Sequence, residues 1–530
     1  MPSATTVDPG VETQLRPWWG ASTLARVGTP AAWCLAALSG LLYAASFPPL
    51  SWSWLAWFAL IPLLVAAATL SPLRAAVAGT IWAVTMGLGV AWYLPGMLSH
   101  YFGLPAALSW AGALLVVVGV EGLYVGAYAA WVAWLARRRA ASPLLLAGGW
   151  LAVEFARAHG VIPNPWALSA YSQLRATALI QIADLAGPYG IGIVIAAVNA
   201  SLAALLVPAL RGTRPVLHVA MVAAGLSGVL LYGHWRLGQT FADGAPVAVA
   251  IVQDGSPTSP PGQLAQRAAR LERYVTLTRG IAGQRPALIV WPEYGVESYL
   301  EEESPARDAV LGIAMEAGAD LIVGGPHYAP AASGTRYHNS VYLVRDGRLA
   351  ARYDKNRLVP FAEDNRLEWL VGHKPVSYTA GRDGFVLPST ALRVGAFLCV
   401  ESMYPQLVRE VARQGAEVLV NLSNDAWFGQ ADAMRQQLDS AALRAVENRR
   451  YLLRATPTGF SAIIDPYGRT VAQSGLDRPE VLTAAVRASH TRTPYQRWGD
   501  VLAWMVIASV SGATLRQFVT RPDHQQSVGR

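Results

Sequence analysis

The chain is 530 residues long, 53% hydrophobic and only 14% charged, with a mean hydropathy of +0.30, which excludes an ordinary soluble globular protein of this size. Its net charge of +8 and isoelectric point near 9.5 would suit a nucleic-acid binder. Much of the excess, however, is arginine in short loops between apolar runs, where membrane topology and anionic lipid account for it, and no nucleic-acid partner is expected.

A membrane-spanning helix needs about 20 mostly apolar residues. Such runs lie near 28–46, 51–70, 75–98, 105–135, 143–158, 188–209, 215–234 and 499–516, a working count of eight. The run at 143–158 is the weakest, being short and ending in Glu154 and Arg157. Loop charge supports the count, because arginine and lysine gather on the cytoplasmic side of short loops. With a cytoplasmic N-terminus the inside loops carry Arg74, Arg137 to Arg139, Arg211 and Arg214, and the tail Arg516, Arg521 and Arg530. The outside loops at 47–50 and 99–104 carry none, and 159–187 has only Arg175. The first 20 residues lack the layout of a cleaved signal, so the first run reads as a retained helix. Glu121, deep in a span, is expected to be paired or protonated, and Trp52, Trp54 and Trp92 read as interfacial anchors.

The expected organisation is therefore a cytoplasmic tail at 1–27, a transmembrane region of about seven spans at 28–235, an external domain at 240–496, a last span at 498–516 and a cytoplasmic tail at 517–530. Within the external domain, 246–252 reads as a buried strand and 263–282 as an amphipathic helix burying Leu264, Ala268, Leu271 and Val275. Strands follow at 287–291 and 320–325 around a helix at 304–317. Asp346-Gly347 marks a hairpin between 339–345 and 348–353, since both turn positions tolerate positive φ. A strand at 392–398, a helix at 404–414, a strand at 417–422, a helix at 432–449 and several strands over 451–485 complete an α/β domain with helices covering sheet faces.

Two cysteines exclude a disulfide framework, because Cys34 lies in the first span and Cys399 in the external domain. Only two of the 42 basic residues are lysines, Lys355 and Lys374. Glu293, Lys355 and Cys399 each fall just past a predicted strand end, where α/β sheets expose side chains to a crevice. Their flanks are Trp-Pro-Glu at 291–293, Tyr-Asp-Lys-Asn-Arg-Leu-Val-Pro-Phe-Ala-Glu at 353–363, Cys-Val-Glu at 399–401 and Ser-Asn-Asp-Ala-Trp-Phe-Gly at 423–429. Four such motifs in order resemble the nitrilase superfamily. With polytopic membrane segments on both sides, the chain resembles the bacterial apolipoprotein N-acyltransferase family.

The resemblance implies a polytopic α-helical membrane domain with an external nitrilase-like αββα sandwich, and a triad of Glu293, Lys355 and Cys399 supported by Glu363 and Glu401. Trp427 and Phe428 are candidate linings of an acyl pocket. The chain departs from the family pattern at Ala362, at Val400, and at Gln436 and Gln437, where histidine is expected nearby; none of these is expected to touch the triad. The implied reaction moves a fatty acyl chain from a membrane phospholipid to Cys399 as a thioester, then to the α-amine of diacylglyceryl-cysteine on an apolipoprotein. Glu293 would act as general base, and Lys355 as a charge favouring the thiolate and the oxyanion. The implied setting is the bacterial inner membrane with the catalytic domain on its periplasmic face, working as a monomer. No phosphate-binding loop, dinucleotide fingerprint or His-Glu-x-x-His is present in the sequence, so neither cofactor nor metal is expected. Two other readings remain open on the sequence: a membrane-anchored nitrilase-type amidase acting on small amides, and a transporter with an accessory external domain.

Overall fold

The computed structural model describes residues 28–258, 263–331, 334–359, 363, 377–382 and 386–519. The expected tail at 1–27, residues 520–530, Ala362 and Lys374 lie outside them.

The membrane region comprises α1 (Thr29–Ala45), α2 (Ile61–Thr69), α3 (Pro72–Val90), α4 (Leu94–Phe102), α5 (Ala106–Val117), α6 (Leu123–Arg137), α7 (Pro143–His159), α8 (Thr177–Ile180), α9 (Ala183–Leu206) and α10 (Pro215–Leu237). All eight expected runs are helical. Five elements are long and apolar enough to cross a membrane by length and composition: Pro72–Val90, Ala106–Arg137, Ala183–Leu206, Pro215–Leu237 and Val501–Val519. Thr29–Ala45 and Ser53–Thr69 are shorter apolar helices. In α10 only Gly233 is buried, the condition of a helix whose apolar surface faces lipid rather than protein.

The charges that weaken the 143–158 run are paired inside, although Arg157 Nε has no hydrogen-bond partner. Arg157 donates from Nη1 to Glu121 Oε2 at 2.6 Å and from Nη2 to the Trp166 carbonyl at 2.6 Å. Asn164 donates to Glu121 Oε1 at 2.9 Å, so Glu121 is paired, within a π-helical turn at Val118–Gly122. Glu154 accepts from the Ser169 backbone amide at 2.8 Å and the Ser169 hydroxyl at 2.5 Å. Buried charge of this kind persists only where partners compensate its lost hydration.

The second region carries β1 (Pro246–Gln253), α11 (Leu264–Ile281), β2 (Leu288–Val290), α12 (Pro305–Ala317), β3 (Asp320–Ala331), β4 (Gly334–Arg345), β5 (Arg348–Asp354), β6 (Val386–Pro388), β7 (Arg393–Leu398), α13 (Pro405–Arg413), β8 (Val418–Leu422), α14 (Ala431–Asn448) and β9 (Leu452–Ala455). It ends with β10 (Ala462–Ile464), β11 (Thr470–Gln473), β12 (Glu480–Arg487), α15 (Pro494–Trp498) and α16 (Val501–Val519). The strands form two six-stranded sheets, ordered β12-β1-β2-β3-β4-β5 and β11-β10-β9-β8-β7-β6. Each has a parallel centre, β1-β2-β3 and β7-β8-β9, with antiparallel flanks.

One apolar core, including Ile251, Val290, Val341, Val394, Val420 and Leu453, lies between the sheets. A second joins the first sheet to α11 and α12 through Tyr274, Trp291 and Val310, and a third joins the other sheet to α13 and α14 through Phe397, Val408 and Ala441. Helix, sheet, sheet, helix is the expected αββα layering. One face reading fails. Helix α11 buries Arg270, Tyr274, Thr278 and Ile281, with Leu271 and Val275 only partly covered and Leu264 exposed. Arg270 enters the core because Asp254 and Glu297 pair with it at 3.3 and 2.5 Å, a compensation that apolar periodicity does not register.

The sandwich sits on the loops read as external. Gln436 of α14 donates to the Pro48 and Val90 carbonyls at 3.1 and 3.0 Å, and Trp166 donates to Gln436 Oε1 at 2.5 Å. Asp184, at the start of α9, accepts from Arg449 at 2.7 Å and from Tyr232 at 2.7 Å. The arginines read as internal gather at the opposite end of the helices: Arg74 bonds Thr29, Arg137 bonds the Leu70 carbonyl, and Arg138 bonds the Gln517 carbonyl.

Candidate active site

Three strand ends converge. Glu293 stands three residues past β2, Lys355 one past β5, and Cys399 one past β7. The backbone is bent at two of these points. Cys399 has φ 48° and Tyr294, beside Glu293, has φ 54°. Left-handed conformations of this kind cost non-glycine residues of order 1–3 kcal/mol and persist where surrounding structure enforces them. Gly324 on β3 leaves room for the Glu293 turn, since a Cβ there would lie 2.6 Å from the Glu293 Cα and the Pro292 oxygen.

Lys355 is buried, and its ammonium lies 2.7 Å from Glu363 Oε1 and 3.5 Å from Glu293 Oε1. Asn339 bridges the carboxylates, donating to Glu293 Oε1 at 2.7 Å and to Glu363 Oε1 at 3.4 Å. Glu363 Oε2 accepts the Val359 amide at 2.8 Å. The two glutamates are therefore not equivalent. Glu363 is the close counter-ion of Lys355, whereas Glu293 is more distant and has a buried oxygen, Oε2, with no hydrogen-bond partner. Burial is the main cause that raises the Glu293 carboxyl above its usual range, with the Glu363 charge adding and Lys355 opposing. Burial alone would lower Lys355, but Glu363 and then Glu293 outweigh it and hold the ammonium well above its ordinary value. Burial and the Glu293 charge push the Cys399 thiol up to about 12 despite Lys355. Lys355 thus favours the thiolate, as expected, but burial and the Glu293 charge outweigh it. A raised carboxyl is one whose basicity lies closer to the working range.

Glu401 is completely buried and touches neither Lys355 nor the sulfur. It accepts the Leu398 amide at 2.6 Å, the Asn356 and Arg357 amides at 2.7 and 2.8 Å, and the Tyr353 hydroxyl at 2.7 Å. One carboxylate thus ties the segment after Lys355 to the strand end before Cys399. Phe428 stands with its ring 6.1 Å from Tyr93 and 5.8 Å from Trp166. It lines a cavity of about 540 Å³ with Trp92, Tyr93, His100, Trp110 and Gly429. The side chain of Trp427 lies outside the described residues.

Sequence reasoning missed Asn339 and misplaced Gln437. Gln437 Nε2 lies 3.7 Å from Cys399 Sγ, and its Oε1 accepts from Arg454 at 3.1 Å, so the expectation that this stretch stays off the triad is overturned. Helix α14 is laid across the end of β7 by packing between elements distant in sequence, which no local pattern reports. Among the described residues no group of three metal-ligating side chains could hold an ion.

A half-buried cysteine with a buried carboxylate and ammonium at the strand ends of a four-layer sandwich, carried on apolar helices, defines a membrane-embedded member of the carbon-nitrogen hydrolase class. Residues 248–495 match the carbon-nitrogen hydrolase family, and residues 39–201 match the apolipoprotein N-acyltransferase N-terminal domain. An apolipoprotein N-acyltransferase of Geobacter metallireducens is 33% identical, over 93% of this chain and 96% of its own. Those of Caulobacter vibrioides and Methylococcus capsulatus are 31% and 30% identical, covering 94% and 90% of this chain and 96% and 94% of theirs. Among solved structures, an amidase from a Nesterenkonia species aligns over 50% of this chain and 98% of its own at 18% identity and a TM-score of 0.39. The chain belongs to the apolipoprotein N-acyltransferase family.

Proposed function

We propose that this protein transfers a fatty acyl chain from a membrane phospholipid, through a thioester on Cys399, to the α-amine of a diacylglyceryl-cysteine on an apolipoprotein. In the first half, the Cys399 sulfur attacks the ester carbonyl and its proton passes to Glu293. The carbonyl–oxygen bond then breaks, and Glu293 returns the proton to the departing lysophospholipid. In the second half, the acceptor amine attacks the thioester, loses a proton to Glu293 and displaces the sulfur, which is reprotonated. Lys355 supplies fixed positive charge for the oxyanion of each half. Glu363 anchors Lys355, and Glu401 holds the two loops in register.

The observation that carries this reading is the clustering of Glu293, Lys355 and Cys399 at three strand ends in a chain that also has an aromatic-lined cavity between its membrane region and the sandwich. That cavity is walled on one side by Tyr93 and Trp110 of the membrane region and on the other by Ala426, Phe428 and Gly429, which follow directly on the Ser-Asn-Asp motif. Phe428, with Trp427 as a further candidate, would line the path of the acyl chain. Both substrates are lipid-anchored, so a scaffold in the bilayer turns a three-dimensional search into a local one. The setting that fits is the inner membrane with the sandwich on the periplasmic face, acting as a monomer. The test is mass spectrometry of the Cys399 peptide after incubation with phospholipid alone. A thioester-linked acyl mass, released on adding a diacylated lipopeptide as N-acylated product, is expected. Hydrolysis of small amides with no fatty acyl mass on Cys399 from phospholipid would overturn the assignment in favour of an amidase.

A further inference from the structure

We infer that Gln437 is a further catalytic residue: its side-chain N–H holds the Cys399 sulfur and stabilises the negative charge that sulfur carries when it attacks and when it is expelled. The inference concerns the site proposed above and rests on its sulfur being the nucleophile.

The orientation of the Gln437 amide is not arbitrary. Arg454 has only donors to offer, so the Gln437 oxygen must face Arg454, at 3.1 Å, and the NH₂ must face Cys399 Sγ, at 3.7 Å. Arg454 is itself locked. It donates to Asp425 Oδ1 and Oδ2 at 2.8 and 3.0 Å and also bonds Asn421 Oδ1. Asp425 accepts the Ser423 hydroxyl at 2.7 Å, and a Cβ at Gly459 would strike the Asp425 side chain at 2.3 Å. Asn421 donates to the Phe397 carbonyl at 3.2 Å, returning the chain of contacts to β7, the strand that ends in Cys399. Gln437, Arg454, Asp425, Asn421 and Ser423 are all fully buried.

The neighbouring residue fixes the helix that carries this donor. Gln436 uses both amide hydrogens on the Pro48 and Val90 carbonyls and its oxygen on Trp166. One dipeptide of α14 thus seats the sandwich on the membrane region and presents a donor to the reacting atom. The chemistry needs such a donor. Burial makes the thiolate costly at Cys399, and besides Lys355, Gln437 is a neutral group aimed at the sulfur itself. It costs no added charge, and it serves the step in which acceptor amine displaces sulfur as well as the step in which sulfur attacks.

The experiment uses the full-length protein in phospholipid nanodiscs with Cys34→Ser, so that Cys399 is the only thiol. The rate of alkylation by iodoacetamide is measured between pH 7 and 10, beside the rate of thioester formation from phospholipid. Gln437→Met keeps the length but loses the donor. A hydrogen bond to a charged group is worth enough that alkylation at a given pH should slow by about tenfold, with the rate curve displaced about one unit upward. Gln437→His, which restores an N–H, should recover most of that loss, and thermal unfolding of each variant reports whether it is folded. A folded Gln437→Met variant with the wild-type alkylation curve would overturn the inference, as would failure of Gln437→His to recover any rate while folded. Should Gln437→Met not fold, the folded Gln437→His variant decides alone through the same curve. If the wild type forms no thioester while Gln437→Met still shifts the curve, the acyl-transfer reading fails and the role of Gln437 stands.

Discussion

Two buried glutamates flank one lysine, and the distances assign them different work. Glu363 at 2.7 Å neutralises Lys355, which leaves Glu293 at 3.5 Å free to act as a base. Because the Glu293 carboxyl is raised, it becomes competent only above the ordinary carboxylate range, and thioester formation should fall as pH drops through a midpoint above about 4.3. With the thiol at about 12, the rate should then run flat through pH 8 to 9. An inflection near 8.5, the value of a free thiol, would show that the resting sulfur ionises independently and defeat this account. Glu363→Gln removes the closer partner of Lys355 and leaves Glu293 as its sole carboxylate, so the Glu293 carboxyl should fall and the acid limb move to lower pH. The plateau rate should decline by about 10²-fold, the low end of general-base contributions. Stopped-flow single-turnover assays across pH read both effects.

Elements decide where these groups stand. Strand β3 passes so close beneath the Glu293 turn that only glycine fits at Gly324. Gly324→Ala should displace Glu293 and lower thioester formation by more than tenfold while the fold persists, since its Cβ meets backbone that can yield only by moving the catalytic turn. In the membrane region, the π-helical turn at Val118–Gly122 presents Glu121 to Arg157 of α7, and Arg157 in turn holds the Trp166 carbonyl. Glu121→Leu leaves a guanidinium buried without its counter-ion, a change that typically costs about 3–5 kcal/mol. The unfolding temperature in detergent should drop markedly. An unchanged melting curve would mean that the pair contributes little to the packing of α7.

At the scale of the whole molecule, the helices and the sandwich share a packed junction, with Leu443 and Val446 in the core of the helical region and polar contacts around them. Asp184 binds Arg449 and Tyr232, Trp166 binds Gln436, and Tyr171 meets Arg444. Such a junction holds the catalytic centre at one height over the bilayer, which a tethered domain would not. The sandwich docks at the end of the helices opposite the arginine-rich loops. In a protein freed of native cysteines by Cys34→Ser and Cys399→Ser, Asp346→Cys at the β4–β5 hairpin tip should react with a membrane-impermeant maleimide on intact cells. Arg139→Cys, between α6 and α7, should react only after permeabilisation. The opposite labelling would invert the proposed topology.

Local pattern was enough for the apolar helices, the alternation of strands and helices, and the placement of Glu293, Lys355 and Cys399 at strand ends. Hydropathy, turn chemistry and short motifs are properties of neighbouring residues, and they survive without knowledge of the fold. The buried face of α11 was not legible, because Arg270 is buried by partners 16 and 27 residues away. Nor were Asn339 between two carboxylates or Gln437 on the sulfur, 38 residues after Cys399. The size of the rise at the Cys399 thiol was not legible either, since it depends on how much water the assembled layers exclude. Sequence by itself determined the family resemblance, the apolar helices and the strand-end motifs, because these are properties of neighbouring residues. Only the tertiary structure decided which glutamate lies closer to Lys355 and what donates to the sulfur, because distance and dehydration arise when remote segments pack.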